Sequence, residues 1–221
     1  MSPRERGKRG LRLHPRWAEG DELRSIVLRV VNAQGVSERR PQDEIEAGIT
    51  EPSELGQVDV WVLSEIAWAN LDAIARKHGL HALHHGARGS AEAGVGILSR
   101  HPIRQPVFRV GSRAVPGVRM RPFCTGRTVG FPVTAAHAPP KSTPVAQRLY
   151  LRQVRKIGGL VAGDFNQTPR QMRRRYKRKY RGIGVLGVLV PRRWKVSSPR
   201  AVDVGSDHMA VDVRVTKGRR K

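Results

Sequence analysis

The 221-residue sequence contains a single cysteine, Cys124, and only 18 Asp and Glu residues against 42 Lys and Arg. One cysteine cannot form an internal disulfide, which excludes a disulfide scaffold and a cysteine-based zinc cluster and favours a reducing compartment. No apolar run approaches the ~20 residues that a membrane-spanning helix needs. Residues 1–16 are basic and lack the apolar stretch of a signal peptide. We therefore expect an intracellular, cytoplasmic protein without a membrane span.

The net charge of +24 is concentrated in three segments. Residues 170–181 contain eight basic and no acidic residues, residues 1–16 have a net charge of +5, and residues 217–221 add +4. Cationic segments around an ordinary domain are typical of a protein that binds a polyanion, and we expect nucleic acid, with DNA favoured. The alternatives are a solvated basic face, an anionic membrane surface and the arginine richness of a GC-rich genome. The sequence gives no indication of a protein partner.

The basic run is the predicted nucleic-acid contact outside any chemical site. Tyr176 and Tyr180 interleave with its cations, which favours base stacking beside phosphate contacts. The alternative is that two tyrosines four residues apart pack a helix against a core. The residues predicted to bind nucleic acid are Arg170, Arg173, Arg174, Arg175, Lys177, Arg178, Lys179 and Arg181.

Alternating strand and helix signals predict one α/β domain at 23–215, between a basic tail at 1–22 and another at 216–221. A short helix is expected within 36–57, a second from a cap at Asn70 to a stop at Gly79, and a third at 144–157. Strands are predicted at 23–31, 58–63, 80–84, 93–103, 104–110, 127–136, 160–166, 184–190 and 209–215.

Polar residues suited to metal or phosphate chemistry stand at five strand boundaries. They are Asn32, Glu65, His137, the pair Asp164 and Asn166, and the pair Asp207 and His208. A site is commonly gathered from such strand ends, although they are distant in sequence. Carboxylates and amides suit a hard cation such as Mg²⁺, and histidines add proton donors or acceptors near neutral pH.

Two of these segments, GDFN at 163–166 and SDH at 206–208, resemble the C-terminal signatures of the endonuclease/exonuclease/phosphatase superfamily. The order of the other segments agrees. VVNAQG resembles the first motif of the family, VDVWVLSEI the second, AGVGILSR the central strand and TAAHAPP the histidine motif. The resemblance covers about residues 23–215. It implies a compact four-layered α/β sandwich, in which two packed mixed β-sheets are flanked by helices.

The resemblance also implies divalent-metal-dependent hydrolysis of a phosphate ester, with Mg²⁺ or Mn²⁺ as the cofactor. Its metal ligands are expected to be Glu65, Asn32 and Asp207, and its catalytic residues His137, Asp164, Asn166, Asp207 and His208. Asp164 and Asn166 are expected to position water and contact phosphate oxygens. His208, oriented by Asp207, is expected to assist proton transfer, and His137 to protonate or stabilise the leaving oxygen.

The favoured function is a magnesium-dependent nuclease that hydrolyses DNA, with RNA as the alternative substrate. A phosphatase or phosphodiesterase for a small or lipid phosphate ester is the second hypothesis. The third is a nucleic-acid-binding protein that has lost catalysis, because Gly187 stands where family members usually carry an aspartate between GDFN and SDH. Asp203 is a candidate substitute for that aspartate.

Four histidines, His78, His81, His84 and His85, lie close together in the sequence without indicating a metal site. Gly79 is expected to end the helix, which removes the regular i, i+4 spacing that a pair of ligating histidines needs. We expect ordinary roles at a helix end and in a strand.

Overall fold

The computed structural model describes residues 23–33, 42–86, 94–111, 121–176, 179–203 and 210–218. Within these residues the helices are α1 (Gln42–Thr50), α2 (Trp68–Lys77), α3 (Pro144–Val154) and α4 (Pro169–Arg175). The strands are β1 (Ser25–Asn32), β2 (Val60–Ile66), β3 (His81–His85), β4 (Gly94–Ser99), β5 (Arg104–Gly111), β6 (Arg121–Thr128), β7 (Phe131–His137), β8 (Leu160–Asp164), β9 (Lys179–Ile183), β10 (Leu186–Val190), β11 (Lys195–Val196), β12 (Arg200–Val202) and β13 (Ala210–Thr216).

The strands form two mixed sheets. Sheet 1 has the order β11-β13-β1-β2-β4-β3, with β12 paired to β13, and sheet 2 has the order β5-β6-β7-β8-β10-β9. The pairs β1–β2 and β7–β8 are parallel, and the other pairs are antiparallel. A parallel pair needs a crossover connection, and here α1 and α3 lie in those connections.

Strand alternation produces the layers. In β2, Val60 and Val62 belong to the core between the two sheets, whereas Trp61 and Leu63 belong to a second core beneath α1 and α2. A third core joins the outer face of sheet 2 to α3 and α4. The order is therefore helices, sheet, sheet, helices, which confirms the predicted four-layered sandwich with two packed mixed sheets.

The two parallel pairs define the ends of the sandwich. We call the end where β1, β2, β7 and β8 finish the carboxyl end, and the end where they begin the amino end. Asn32 pairs in register with Ser64, beside Glu65, and His137 pairs with Asp164. The crossovers therefore bring Asn32, Glu65, His137 and Asp164 to one end of the molecule.

Three predicted elements differ from the structure. The single strand expected at 127–136 is instead the end of β6, a tight turn and most of β7. Val129 and Gly130 both adopt positive φ (41° and 79°) and turn the chain between the two strands. Helix α2 begins at Trp68 rather than after a cap at Asn70. The basic run is divided between α4, which begins at a capping box of Thr168 and Gln171, and the unpredicted strand β9.

A fully buried ion pair fastens α1 to sheet 1. The guanidinium of Arg29 donates from Nε and Nη2 to the two carboxylate oxygens of Asp212, at 2.7 and 2.8 Å. Its Nη1 donates to the carbonyl oxygen of Gly48 at 2.9 Å, in the last turn of α1. These three hydrogen bonds give both buried charged groups a partner, and burial of either charge without a partner would strongly destabilise the fold.

No helix within the described residues is both long and apolar enough to cross a membrane. The lone cysteine, Cys124, is free and buried, and burial raises the pKa of its thiol.

Candidate active site

Two contacts between the sheets assemble the predicted site at the carboxyl end. The side-chain amide of Asn32, the last residue of β1, donates to Asp164 Oδ2 at 3.1 Å, and Asp164 is the last residue of β8. His137 Nε2, at the end of β7, lies 3.3 Å from Glu65 Oε1 in β2. We call these four residues with Asn166 the strand-end cluster. The cluster joins residues that are up to 134 positions apart in the sequence.

Burial separates the cluster into an inner and an outer part. Asn32, His137 and Asp164 are each about 2% exposed, whereas the side chain of Glu65 is 33% exposed. The buried polar groups are held by hydrogen bonds, as their desolvation requires. Glu65 is therefore the carboxylate of the cluster that solvent or a substrate reaches most readily.

The GDFN segment folds as it does because of its residue types. Asp164 Oδ1 accepts a hydrogen bond from the backbone N–H of Asn166 at 2.7 Å, an Asx turn that places Asn166 at φ 49°. The Asn166 amide donates to the carbonyl of Ala138 at 2.8 Å. At Gly163 (φ 143°) a Cβ would overlap the carbonyl oxygen of Ala136. Glycine thus allows β8 to approach β7 closely at the site.

A bulge in β2 presents Glu65. The pairing of β2 with β4 shifts register between Ser64 and Ile66, and Glu65 adopts φ 57°, a conformation unusual for a non-glycine residue. His84 Nε2 donates to the carbonyl of Ile66 at 2.8 Å next to the bulge. Unusual backbone conformations at Glu65 and Asn166 are the kind of local strain that concentrates at functional sites.

Residues behind the cluster were not found by sequence reasoning. The buried Gln147 of α3 donates from Nε2 to the carbonyls of Pro139 and Asn166, at 3.0 and 3.2 Å, and accepts from Gln167 Nε2 at 2.7 Å. The backbone N–H of His137 donates to the Tyr150 hydroxyl at 2.8 Å. These side chains fix the two loops that carry His137 and Asn166. Their only sequence signal, a polar residue on the inward face of a helix, is too common to single them out.

The space expected to hold an aspartate is filled by Tyr180. Gly187 in β10 pairs with Gly163, and a Cβ at position 187 would overlap the Tyr180 hydroxyl and come within 2.7 Å of the Arg181 carbonyl oxygen. The Tyr180 hydroxyl donates to the Leu186 carbonyl at 3.2 Å, and burial raises its pKa, with the Asp164 charge adding to the rise. Asp203 is exposed just after β12, and its role as a substitute stays a prediction.

The tyrosines of the basic run belong to the core. Tyr176 and Tyr180 are 5% and 1% exposed, and Tyr176 donates its hydroxyl to the carbonyl of Leu151 at 3.0 Å. The predicted base stacking on these rings is therefore wrong, and the alternative of core packing holds. The predicted phosphate contacts Arg170, Arg173, Arg174, Arg175 and Lys179 are exposed, and Arg181 is half-buried.

Four predicted residues lie outside the described residues. They are Lys177 and Arg178 of the basic run and Asp207 and His208 of the SDH segment. The nearest described residues on either side of the SDH segment are Asp203, after β12, and Ala210, at the start of β13. The assignments of Asp207 and His208 stay predictions.

The donor chemistry of the cluster fits a divalent cation. Among the described residues, no three His, Cys, Asp or Glu side chains form an arrangement that could hold a metal ion. Glu65 and Asn32 contribute a carboxylate and an amide oxygen, the ligand types that Mg²⁺ and Mn²⁺ prefer. The third predicted ligand, Asp207, lies outside the described residues.

The histidine group away from the cluster has ordinary partners. His78 Nε2 lies 2.5 Å from Glu46, His84 contacts Ile66 as described, and His85 Nδ1 lies 2.9 Å from the carbonyl of Phe123. Burial lowers the pKa of His84. These separate partners agree with the expectation that the group is structural.

A cavity of about 440 Å³ lies away from the cluster, between the end of α1, the end of α2 and β2. Trp61 and Arg100 are among its lining residues, and the Arg100 guanidinium lies 5.5 Å from the centre of the Trp61 ring. None of the lining residues belongs to the strand-end cluster.

The sequence model of the Endonuclease/Exonuclease/phosphatase family matches residues 21–208. The chain belongs to this family. Family members are hydrolases that act on phosphoester bonds, they include metal-dependent nucleases and phosphodiesterases, and they generally use divalent metal ions. The match spans the strand-end cluster and every motif on which the resemblance was based.

Solved structures share the family fold. An endonuclease/exonuclease/phosphatase from Beutenbergia cavernae has 17% identity and a TM-score of 0.61, over 89% of this chain and 72% of that chain. A humanized D. rerio TDP2 with 14 mutations has 13% identity and a TM-score of 0.66, over 88% and 100%. A family protein from Bacteroides thetaiotaomicron has 13% identity and a TM-score of 0.66, over 88% and 98%. A comparison with curated protein sequences gave no match.

Proposed function

We propose that the protein is a divalent-metal-dependent phosphodiesterase that hydrolyses nucleic acid, with DNA as the favoured substrate and RNA as the alternative. The observation that carries this proposal is the strand-end cluster, in which two carboxylates, two amides and an imidazole from four strands meet at one end of the sandwich. Such a set combines cation ligands with proton donors and acceptors, as phosphate-ester hydrolysis requires.

Glu65 and Asn32 would hold the cation, together with Asp207. A divalent cation bound there would neutralise charge on the attacked phosphate. The 33% exposure of the Glu65 side chain supports its assignment, because a cation that binds substrate has to be accessible from solvent.

The chain's own residues then act on the phosphate and its oxygens. Asp164, fixed by the Asn32 amide and the Asn166 N–H, would orient the attacking water. Asn166 uses one amide N–H on the Ala138 carbonyl, and we assign its second N–H to a phosphate oxygen. His137, beside Glu65, would donate a proton to the leaving oxygen.

The position of the basic run supports a nucleic-acid substrate over a small phosphate ester. Helix α4 begins three residues after Asn166, and its exposed Arg170, Arg173, Arg174 and Arg175 extend from the carboxyl end along the outside of sheet 2. A polymer bound at the cluster would pass these cations. The affinity for a nucleic acid should therefore fall steeply with salt, whereas turnover of a small phosphodiester should not.

Hydrolysis of plasmid DNA, RNA and a generic phosphodiester, each with Mg²⁺, Mn²⁺ or chelator, tests the proposal. We expect cleavage that requires a divalent cation. Glu65→Gln should abolish it, whereas Glu54→Gln, at a side chain that is 77% exposed and far from the cluster, should not. Full activity in chelator, or equal activity of the two variants, would remove the proposed mechanism.

The packing of Tyr180 against Gly187 favours a second candidate, a nucleic-acid-binding protein without turnover. Tyr180 fills the space in which family members usually carry an aspartate, so the cluster is short of one carboxylate. Salt-sensitive binding of DNA with no metal-dependent cleavage of any of the three substrates would select this candidate.

A further inference from the structure

Most of the net positive charge lies in one stretch of the chain, residues 94–202. Residues 94–202 contain 24 Lys and Arg and one acidic residue, Asp164, whereas the rest of the chain has 18 Lys and Arg against 17 Asp and Glu. Residues 94–202 include all of sheet 2, α3 and α4, together with β4, β11 and β12 of sheet 1. Because Asp164 lies at the carboxyl end, the amino end of sheet 2 receives no acidic side chain from this stretch.

At the amino end, a buried tryptophan anchors a turn that carries two exposed arginines. Strand β10 finishes there, and the chain crosses to β11 of sheet 1 through a turn in which the Trp194 N–H donates to the Pro191 carbonyl at 2.9 Å. The Trp194 ring is buried and packs edge-on against Phe131, with the ring centres 5.2 Å apart. With the turn anchored in this way, Arg192 and Arg193 are exposed to solvent.

Other cations surround this turn. Lys179 Nζ donates to the carbonyl of Trp194 at 2.9 Å, and the exposed Lys195 pairs with Thr216. Lys217 Nζ lies 4.7 Å from the centre of the Phe131 ring, and the Lys217 N–H donates to the carbonyl of Arg24. We call this set the amino-end patch: Arg24, Lys179, Arg192, Arg193, Lys195 and Lys217.

The beginning of the basic C-terminal segment, Lys217 and Gly218, lies at the same patch. Gly218 lies so close to the Arg193 carbonyl that a side chain would not fit between them. From Gly218 the sequence continues with Arg219, Arg220 and Lys221. The patch is thus the point where two of the three basic segments of the sequence meet, since Lys179 belongs to the run at 170–181.

We propose that the amino-end patch binds the phosphate backbone of a second nucleic-acid duplex, so that the protein holds two duplex segments at opposite ends of the sandwich. The two aromatic rings at the patch, Trp194 and Phe131, are buried, which leaves cations rather than stacking surfaces for recognition. A duplex carries one charge per ~1.7 Å of its axis and is the polyanion that such a surface suits best.

The placement opposite the strand-end cluster gives the second duplex its own site. The strands between the two ends have five to eight residues, which corresponds to roughly 17–26 Å at ~3.3 Å per residue. A duplex that docks on the amino-end patch is therefore separated from a phosphate bound at the cluster by the thickness of the sandwich. The inference takes the identity of its polyanion from the proposed function but does not depend on turnover.

A capture experiment in chelator, where cleavage is not expected, tests the proposal. An immobilised duplex is saturated with protein, and retention of a second, labelled duplex is measured, with DNA and RNA duplexes in separate arms. Arg192→Gln/Arg193→Gln/Lys195→Gln should lower retention of the second duplex at least tenfold in an arm where the parent protein retains it. Each lost phosphate contact should reduce the slope of log affinity against log salt by about 0.9 for duplex DNA.

A matched control removes the same charge from three exposed side chains that lie outside the amino-end patch and are paired with carboxylates. Arg76→Gln/Lys77→Gln/Arg200→Gln replaces three side chains that are 57%, 64% and 58% exposed, and it should retain the second duplex as the parent does. Equal loss in both triple variants, no retention by the parent, or retention of a single strand as tight as that of the duplex would overturn the proposal. So would loss, in the patch variant, of binding to phosphatidylserine vesicles with no loss of duplex retention.

The outcome is separable from that of the proposed function. Hydrolysis of a generic phosphodiester by the patch variant should equal that of the parent, because no patch residue lies in the strand-end cluster. A parent protein that captures two duplexes but hydrolyses no substrate would disprove the phosphodiesterase and leave the amino-end patch intact.

Discussion

Asp164 is the residue on which the strand-end cluster depends most. Its two carboxylate oxygens accept hydrogen bonds from Asn32 of sheet 1 and from Asn166 of its own turn, so one side chain joins both sheets and shapes the GDFN segment. The residue is 2% exposed, so both hydrogen bonds are shielded from water. Replacement of this carboxylate is therefore expected to lower both the rate of hydrolysis and the stability of the fold.

Asp164→Asn should reduce metal-dependent hydrolysis by about 10²–10⁴-fold. It should also lower the free energy of unfolding by about 1–3 kcal/mol, because an amide nitrogen replaces one acceptor oxygen in a buried site. Initial rates and urea unfolding measure the two effects. Asp72→Asn, which weakens the ion pair with Arg76 on α2, is the control and should keep the parent rate. Parent activity in Asp164→Asn would contradict the assignment.

Gly187→Asp should destabilise the protein rather than restore the aspartate usual in the family. The new Cβ would overlap the Tyr180 hydroxyl and approach the Arg181 carbonyl, and such overpacking typically costs about 1–3 kcal/mol. Thermal unfolding compares this variant with Gly158→Asp, where no atom lies within 4 Å of the new Cβ. A higher melting temperature or a gain of activity in Gly187→Asp would show that the space is open.

Residues at strand ends were predictable, whereas residues behind them were not. Asn32, Glu65, His137, Asp164 and Asn166 stand out in the sequence because each follows an apolar run, and the fold brings them together. Gln147 and Tyr150 act through contacts between a helix and two loops. Such contacts depend on the packing of α3 on sheet 2, which the sequence pattern does not specify.

Strands made of buried apolar residues were predictable from the sequence, whereas charged or short strands were not. In β9, the buried Tyr180 and Gly182 alternate with the more exposed Lys179 and Arg181, which is the pattern of a strand with one buried face. The high content of cations makes this alternation hard to recognise in the sequence. The turn at Val129 and Gly130 was missed because valine is rarely found at positive φ. Tertiary packing decides both cases.

The ion pair of Arg29 and Asp212 makes β1, β13 and α1 one unit. Arg29→Leu should lower the free energy of unfolding by about 3–5 kcal/mol, because it leaves the Asp212 carboxylate buried without its partner. Arg29→Leu/Asp212→Leu should cost less than the single variant, since no buried charge then remains. Urea unfolding of the two variants gives the comparison. A double variant less stable than Arg29→Leu would show that the unpaired Asp212 carboxylate is not the source of the loss.

The whole molecule is electrically divided. Helices α1 and α2 and strands β1, β2, β3 and β13 of sheet 1 lie in the nearly neutral part of the chain. Sheet 2 with α3 and α4 lies in the part with 24 Lys and Arg and one Asp, which also contributes β4, β11 and β12 to sheet 1. Counting charge by segment in the sequence found the run at 170–181 but not this division, because arginines such as Arg148 and Arg152 of α3 and Arg155 just after it are scattered along the chain. The fold collects them on the outside of sheet 2, where they are exposed.

The cations concentrated around sheet 2 repel one another in the free protein, and this repulsion opposes folding. Salt screens exposed charges over a Debye length of about 10 Å at 0.1 M and about 3 Å at 1 M. We therefore expect the melting temperature to rise as NaCl increases from 0.05 to 0.5 M. Arg173→Gln/Arg174→Gln/Arg175→Gln, which removes three neighbouring exposed cations of α4, should have a higher melting temperature at low salt and a weaker dependence on salt.

The control variant Arg76→Gln/Lys77→Gln/Arg200→Gln removes the same charge where Asp72, Glu46 and Glu54 are partners, and it should show neither change. Equal behaviour of the two triple variants would mean that net charge alone, and not its concentration on sheet 2, governs the repulsion.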